Sequence, residues 1–204
     1  MIIVPELKTV VILVPRTGSG SLRRALLARY PGAMQIYRHM EADGIPIGYD
    51  RWSKVGVIRD PVDRLWSLYK FLAHFAGDHD PAYIAAMRGS VDMPFSDWLV
   101  RNETVFTSPY DRAGHGRYWP EYTVRHPLPE NKKSQYLTLR PDLGTTIVPY
   151  SDLATFAQRL DVTLTHHNAT GADLGPPPLT EQAVNHLARF FEWDFTYFRD
   201  AVAA

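Results

Sequence analysis

The amino-acid sequence predicts an α/β fold: a single three-layer domain over residues 1–204, built on a mainly parallel central sheet. Two observations predict it. Short apolar, β-branched runs alternate along the chain with segments whose apolar residues recur at helical spacing, the pattern of strands joined by crossover helices. The 204 residues, 45% of them hydrophobic, are enough for one sizeable core, and neither an internal repeat nor a linker divides them.

The elements follow in order. "MIIVPELKTVVILVP" reads as the first core strand, with Val10 to Val14 β-branched apart from Leu13 and stopped by Pro15. Pro5, Glu6 and Lys8 interrupt it, and it has neither the basic start nor the small-residue cleavage site of a signal peptide. A small-residue turn, Thr17 to Ser21, precedes a helix carrying Leu22, Ala25, Leu26 and Tyr30. "AMQIYRHMEA" reads as a short strand running into a polar loop, and "KVGVIRDP" as a second buried strand. "PVDRLWSLYKFLAHFA" is a helix capped by Asp60, with Pro61 in its first turn and a core stripe of Leu65, Leu68, Tyr69 and Leu72. Two short helices are expected at "AYIAAMRG" and "FSDWLVR", then a long aperiodic stretch from Thr107 to Gln135. "QYLTLRPDLGTTIVPY" predicts a hairpin or two short strands, "SDLATFAQRL" a helix capped by Ser151, and "LTEQAVNHLARFFEWDFTYF" a last helix capped by Thr180.

Composition excludes several function classes. With 22 basic and 22 acidic residues, positive potential must be concentrated at a site, which argues against a general nucleic-acid binder. The absence of cysteine removes disulfides and cysteine metal sites and fits a reducing compartment. No window reaches the length of a membrane span, so a soluble, cytoplasmic chain is expected. Five tryptophans and eleven tyrosines supply either plain core or the lining of a sugar or nucleobase pocket.

The candidate chemistry lies where strands end. In "VVILVPRTGSGSLRRALLARY" a strand, a glycine turn and a helix follow one another, so unpaired N–H groups and the positive end of the helix dipole face the loop. A phosphate or sulfate is the default ligand; the alternative is a turn that binds nothing. The nucleoside-triphosphate loop needs lysine and a hydroxyl after its last glycine, whereas here the cation, Arg16, precedes the glycines. In "VGVIRDPVDRLWSLYKF", Arg59 ends a strand and Ser67 lies two turns into the next helix, within reach of one anion near the helix start. The alternative pairs Arg59 with Asp60 or Asp63 and makes Ser67 a packing residue. Ligands of such sheets bind at the carboxyl ends of the strands, and two strand-end anion signals describe a ligand with two phosphate groups.

At these residues the chain resembles the sulfotransferases that use 3'-phosphoadenosine 5'-phosphosulfate (PAPS). "PRTGSGSL" is similar to the family's 5'-phosphosulfate loop, and "RDPVDRLWS" to its Arg-Asp-Pro-x-x-Arg-x-x-Ser segment for the 3'-phosphate. "IVPYSDL" and the carboxyl-terminal segments extend the likeness over almost the whole chain, nearest to the carbohydrate branch of the heparan 2-O type. The resemblance implies a P-loop-like sulfotransferase fold and PAPS as cosubstrate. It implies a nucleotide site of Arg16, Thr17, Gly18, Ser19, Gly20, Ser21, Leu22, Arg59 and Ser67, with Asn168 and Thr170 near the adenosine. It also implies a histidine base between the two segments, His39 in "YRHME", with Glu41 as the second choice. Arg16 stands where lysine is commonest, which keeps the charge but not lysine's movable pKa.

Sulfuryl transfer requires cations or N–H groups around the leaving phosphate and a base for the acceptor hydroxyl. A histidine, of unperturbed pKa about 6.5, suits the second task near neutrality. No metal is expected: no carboxylates or histidines stand at a compelling metal spacing, and the adjacent His166 and His167 point apart on most backbones. "YDRAGHGRYWPEY", followed by Lys132 and Lys133, joins aromatic faces to cations and would suit a hydroxylated or acidic glycan as acceptor; the alternative is an ordinary cover over the core. His74, His79, His115 and His126 are taken as surface or acceptor-site residues. Two other functions stay open, a non-catalytic binder of the nucleotide and a P-loop-type nucleotide or sugar kinase.

Overall fold

Alternate residues of the amino-terminal strands go to different buried clusters, as the period of two along a strand requires. Ile2, Val4, Val11 and Leu13 pack with Leu22, Leu26 and Phe156. Ile3, Val10, Ile12 and Val14 pack with Tyr37, Met40 and Leu139. The structure, a computed structural model, describes residues 1–77, 80–105, 126–165 and 175–203. Its single α/β domain carries one five-stranded sheet of β1 (Ile2–Val4), β2 (Thr9–Ile12), β3 (Met34–Gln35), β4 (Ser53–Ile58) and β5 (Thr145–Pro149), in the order β3-β1-β2-β4-β5.

The sheet is mixed, where a mainly parallel one is predicted. β1 runs antiparallel to both β2 and β3, while β2, β4 and β5 are parallel to each other. The cause is the interruption at Pro5, Glu6 and Lys8. A 3-10 turn at Pro5–Leu7 and Lys8 in the left-handed region (φ 47°) split the expected first strand into two. So short a link reverses the chain, because a parallel crossover needs a dozen residues or more.

Seven helices complete the described chain: α1 (Ser19–Arg29), α2 (Pro61–Ala73), α3 (Pro81–Gly89), α4 (Phe95–Arg101), α5 (Gln135–Leu139), α6 (Leu153–Arg159) and α7 (Glu181–Ala203). Asp60 caps α2 as expected, accepting from Val62 N at 2.9 Å and Asp63 N at 3.0 Å. Thr180 likewise accepts from Ala183 N at the start of α7. Leu65, Leu68 and Leu72 of α2 pack with Trp98 and Leu99 of α4 and with Leu187 and Phe191 of α7. α7 is kinked at Phe191 (φ −125°, ψ 15°).

Two expectations fail. "QYLTLRPDLGTTIVPY" contains α5, a 3-10 turn at Pro141–Leu143 and one strand, β5, rather than a hairpin or two short strands. Ser134 caps α5 through Tyr136 N, and buried Leu139 fills the space above Gly56 of β4, so tertiary packing decides the helix. Ser151 does not cap α6: its hydroxyl donates to Asp152, inside a 3-10 turn at Tyr150–Asp152. Among the described residues no helix is long and apolar enough to cross a membrane.

Candidate anion-binding and active site

β2, β4 and β5 are parallel, so their carboxyl ends share one edge of the sheet. That edge carries the loop before α1, then Arg59, then Tyr150. The loop is shaped by two left-handed residues, Arg16 (φ 68°) and Gly18 (φ 74°). Only glycine holds the second without strain, and a Cβ there would also stand 2.4 Å from Leu153 Cδ2. The non-glycine Arg16 in this region is a local strain of the kind that collects at ligand sites.

The loop's donors are fewer than the sequence implies. Ser21 N and Leu22 N both donate to Gly18 O at 3.1 Å, and the Thr17 hydroxyl donates to Val14 O at 3.0 Å. Ser19 and Gly20, at the first two helical positions, keep N–H groups that have no intrahelical acceptor. A Cβ on Gly20 would meet nothing within 4 Å. The fold needs glycine at 18, whereas at 20 a Cβ would find open space. Gly18→Ala should therefore lose about 2 kcal/mol or more in denaturant unfolding. Gly20→Ala should melt at or above the parent temperature, because a Cβ there meets no neighbour and alanine favours the helix.

The two motifs cross over one another. Arg16 of the first motif donates from Nε to Ser67 Oγ of the second at 3.1 Å, and its guanidinium lies 4.7 Å from the Phe71 ring centroid. Arg59 of the second motif donates from Nη1 to the Arg16 carbonyl at 3.3 Å and lies 4.9 Å from the Tyr150 ring centroid. The two arginines expected at separate anion sites thus lie in one contiguous cluster, in which Ser67 accepts from Arg16. Neither arginine has a carboxylate partner among the described residues, so the alternative pairing of Arg59 with Asp60 or Asp63 is not formed there, and Asp60 caps α2. Burial first, and then the charge of Arg59, lower the Arg16 pKa from its ordinary value. Two half-buried cations held against aromatic faces create a positive potential that an anion relieves.

His39 sits beside the same loop. Its Nδ1 lies 2.8 Å from the carbonyl of Leu13, just before the loop begins. A carbonyl only accepts, so Nδ1 carries the proton and the lone pair of the neutral ring is at Nε2. Burial, helped by the positive amino terminus, Arg38 and Lys133 and opposed by the Leu13 bond, brings the His39 pKa down to about 3. This departs from the near-neutral value expected of an ordinary histidine. Glu41 is fully buried, 3.0 Å from Lys133 Nζ, and accepts from His126 N at 3.4 Å.

The remaining predicted residues divide. Asn168 and Thr170, with His166 and His167, lie outside the described residues, as do His79, His115 and "YDRAGHGRYWPEY". His126 lies 3.5 Å from Asp43, and His74 is exposed at the end of α2. Lys132 and Lys133, read as acceptor cations, instead pair with Glu103 at 2.6 Å and Glu41 at 3.0 Å. Glu130, Asn131, Lys133, Ser134 and Gln135 are buried polar residues, and Glu130 receives a 2.8 Å bond from the fully buried Arg64.

Sequence reasoning missed Phe71, Tyr150, Gln135 and Asp194. The first two are ordinary aromatics whose role appears only when strand ends meet. Asp194 did leave a signal, falling on the buried stripe Ala183, Leu187 and Phe191 where an acid needs a partner. Compared with models of protein families, with curated proteins and with solved structures, the chain matches none.

Proposed function

We propose that the chain is a PAPS-dependent sulfotransferase of three-layer, P-loop-like fold that transfers a sulfuryl group to a hydroxyl of a carbohydrate acceptor. The observation that carries this reading is the convergence of Arg16 and Arg59, without carboxylate partners among the described residues, at the ends of adjacent parallel strands. The sequence motifs choose PAPS among the possible anions. The absence of cysteine supports a cytoplasmic setting.

In this reading the Ser19 and Gly20 N–H groups and Arg16 meet the 5'-phosphosulfate, and Arg59 meets the 3'-phosphate, to which the Ser67 hydroxyl can still donate while its oxygen accepts from Arg16 Nε. The nucleotide supplies the sulfuryl group, whose bond to the 5'-phosphate oxygen breaks as the bond to the acceptor oxygen forms. His39 takes the hydroxyl proton at Nε2 and holds it while the Leu13 carbonyl fixes the ring. Arg16 faces the charge that grows on the leaving phosphate.

The test is titration of the full chain with 3'-phosphoadenosine 5'-phosphate, 5'-AMP and ATP. The bisphosphate should bind most tightly and need no magnesium. Arg59→Ala should weaken it by about tenfold to a hundredfold, the loss of a charge-assisted bond to phosphate. 5'-AMP, which lacks the 3'-phosphate, should change little. Equal losses for both nucleotides make Arg59 structural. Magnesium-dependent preference for ATP favours a kinase, and tight bisphosphate binding without turnover favours a binder.

A further inference from the structure

β4 ends at Ile58, paired with Pro149 of β5. Proline has no N–H, so the ladder stops there, and the main chain of Arg59 passes beyond the sheet. The side chain of Gln135 takes over. Its Oε1 accepts from Arg59 N at 3.1 Å, and its Nε2 donates to Arg59 O at 2.8 Å. The carboxamide thus pairs both polar groups of one residue, as a neighbouring strand would. A main-chain N–H can only donate and a carbonyl only accept, so these two bonds fix which way the amide faces.

Gln135 is itself held. Asp194 of α7 accepts from Gln135 N at 2.8 Å, from Gln135 Nε2 at 3.3 Å, from Tyr136 N at 3.0 Å and from the Ser134 hydroxyl. Asp194 and Gln135 are both buried. An unbroken series of hydrogen bonds therefore runs from α7 through Gln135 to Arg59, and from Arg59 Nη1 to the Arg16 carbonyl.

We infer that Gln135 is a positioning residue of the anion site: it clasps the Arg59 main chain, with Asp194 orienting the clasp, so that the Arg59 guanidinium meets the 3'-phosphate without first being ordered. The phosphate half of this inference rests on the sulfotransferase reading; the clasp itself does not. The value of the clasp to binding is preorganisation, since ordering a loose arginine at the moment of contact would weaken the complex.

Two measurements on the full chain test it. In calorimetry, Gln135→Met, which keeps the bulk and removes both amide bonds, should weaken 3'-phosphoadenosine 5'-phosphate by about tenfold and leave 5'-AMP within about twofold. Combined with Arg59→Ala it should add little further loss, because the two residues act through one contact. Equal weakening of both nucleotides, or full additivity with Arg59→Ala, would overturn the positioning role. In amide hydrogen exchange, the Arg59 N–H should exchange at least about tenfold faster in Gln135→Met while Val55 and Val57 stay protected. Unchanged Arg59 exchange overturns the clasp. Asp194→Asn, nearly isosteric, should show the same pattern more weakly and serves if Gln135→Met does not fold. If the parent chain binds neither nucleotide, the sulfotransferase reading falls, and the exchange measurement alone decides the clasp.

Discussion

On the proposed sulfotransferase reading, His39→Ala is expected to slow sulfuryl transfer by about a hundredfold to ten-thousandfold and to leave binding of 3'-phosphoadenosine 5'-phosphate unchanged. The separation follows from placement. His39 is tied to the Leu13 carbonyl behind the loop, whereas the groups assigned to the nucleotide are the loop N–H groups, Arg16, Arg59 and Ser67. The pH profile adds a second readout. An imidazole whose pKa is lowered to about 3 stays neutral, and able to accept a proton, as pH falls through the usual histidine range. On the sulfotransferase reading, kcat/KM for the nucleotide reports the free parent protein, so it should stay level from about pH 7 to about pH 5. The acid limb of kcat should lie at higher pH than that of kcat/KM, because the bound phosphosulfate brings negative charge beside the ring and raises its pKa. Transfer at the parental rate in His39→Ala would remove the assignment. Glu41→Gln would then be the next variant, and the buried Lys133 pair makes loss of folding the outcome to monitor there.

Arg16→Ala is expected to lower kcat by about a hundredfold to a thousandfold, with a smaller loss of nucleotide affinity. Charge on the leaving phosphate grows only during transfer, so a cation facing it stabilises the transition state more than the bound nucleotide. The loop N–H groups and Arg59 remain to hold the ground state. Arg16→Lys should recover part of the rate, since it keeps the charge and loses the planar fork that reaches Ser67. Single-turnover kinetics beside calorimetry separate the two effects. A large affinity loss at unchanged kcat would place Arg16 on a ground-state anion shared with Ser67, the partner it has in the structure.

How much of this is legible in the chain varies with the range of the interactions. α2 and α4 are read correctly because their determinants are local: Asp60 and Pro61 at one start, and apolar residues at helical spacing in both. The turn at Thr17 to Ser21 is likewise written in its glycines and hydroxyls, as is the placing of Arg16 and Arg59 at strand ends.

Turn geometry and long-range contacts decided the rest. The reversal after β1 came from the short link at Pro5–Lys8, and the helix at Gln135–Leu139 from packing of Leu139 over Gly56 and bonds to Asp194 of α7, so apolar patterning alone misread both. The amino-acid sequence by itself determined the strand–turn–helix unit, the two cations and the hydroxyls between them, because backbone freedom and charge are properties of the residues. Only the tertiary structure decided that Arg16 meets Ser67, that Arg59 is clasped by Gln135, and that His39 is a neutral ring with a depressed pKa. Those are properties of distance and burial between residues 26 to 76 positions apart, which no local pattern records.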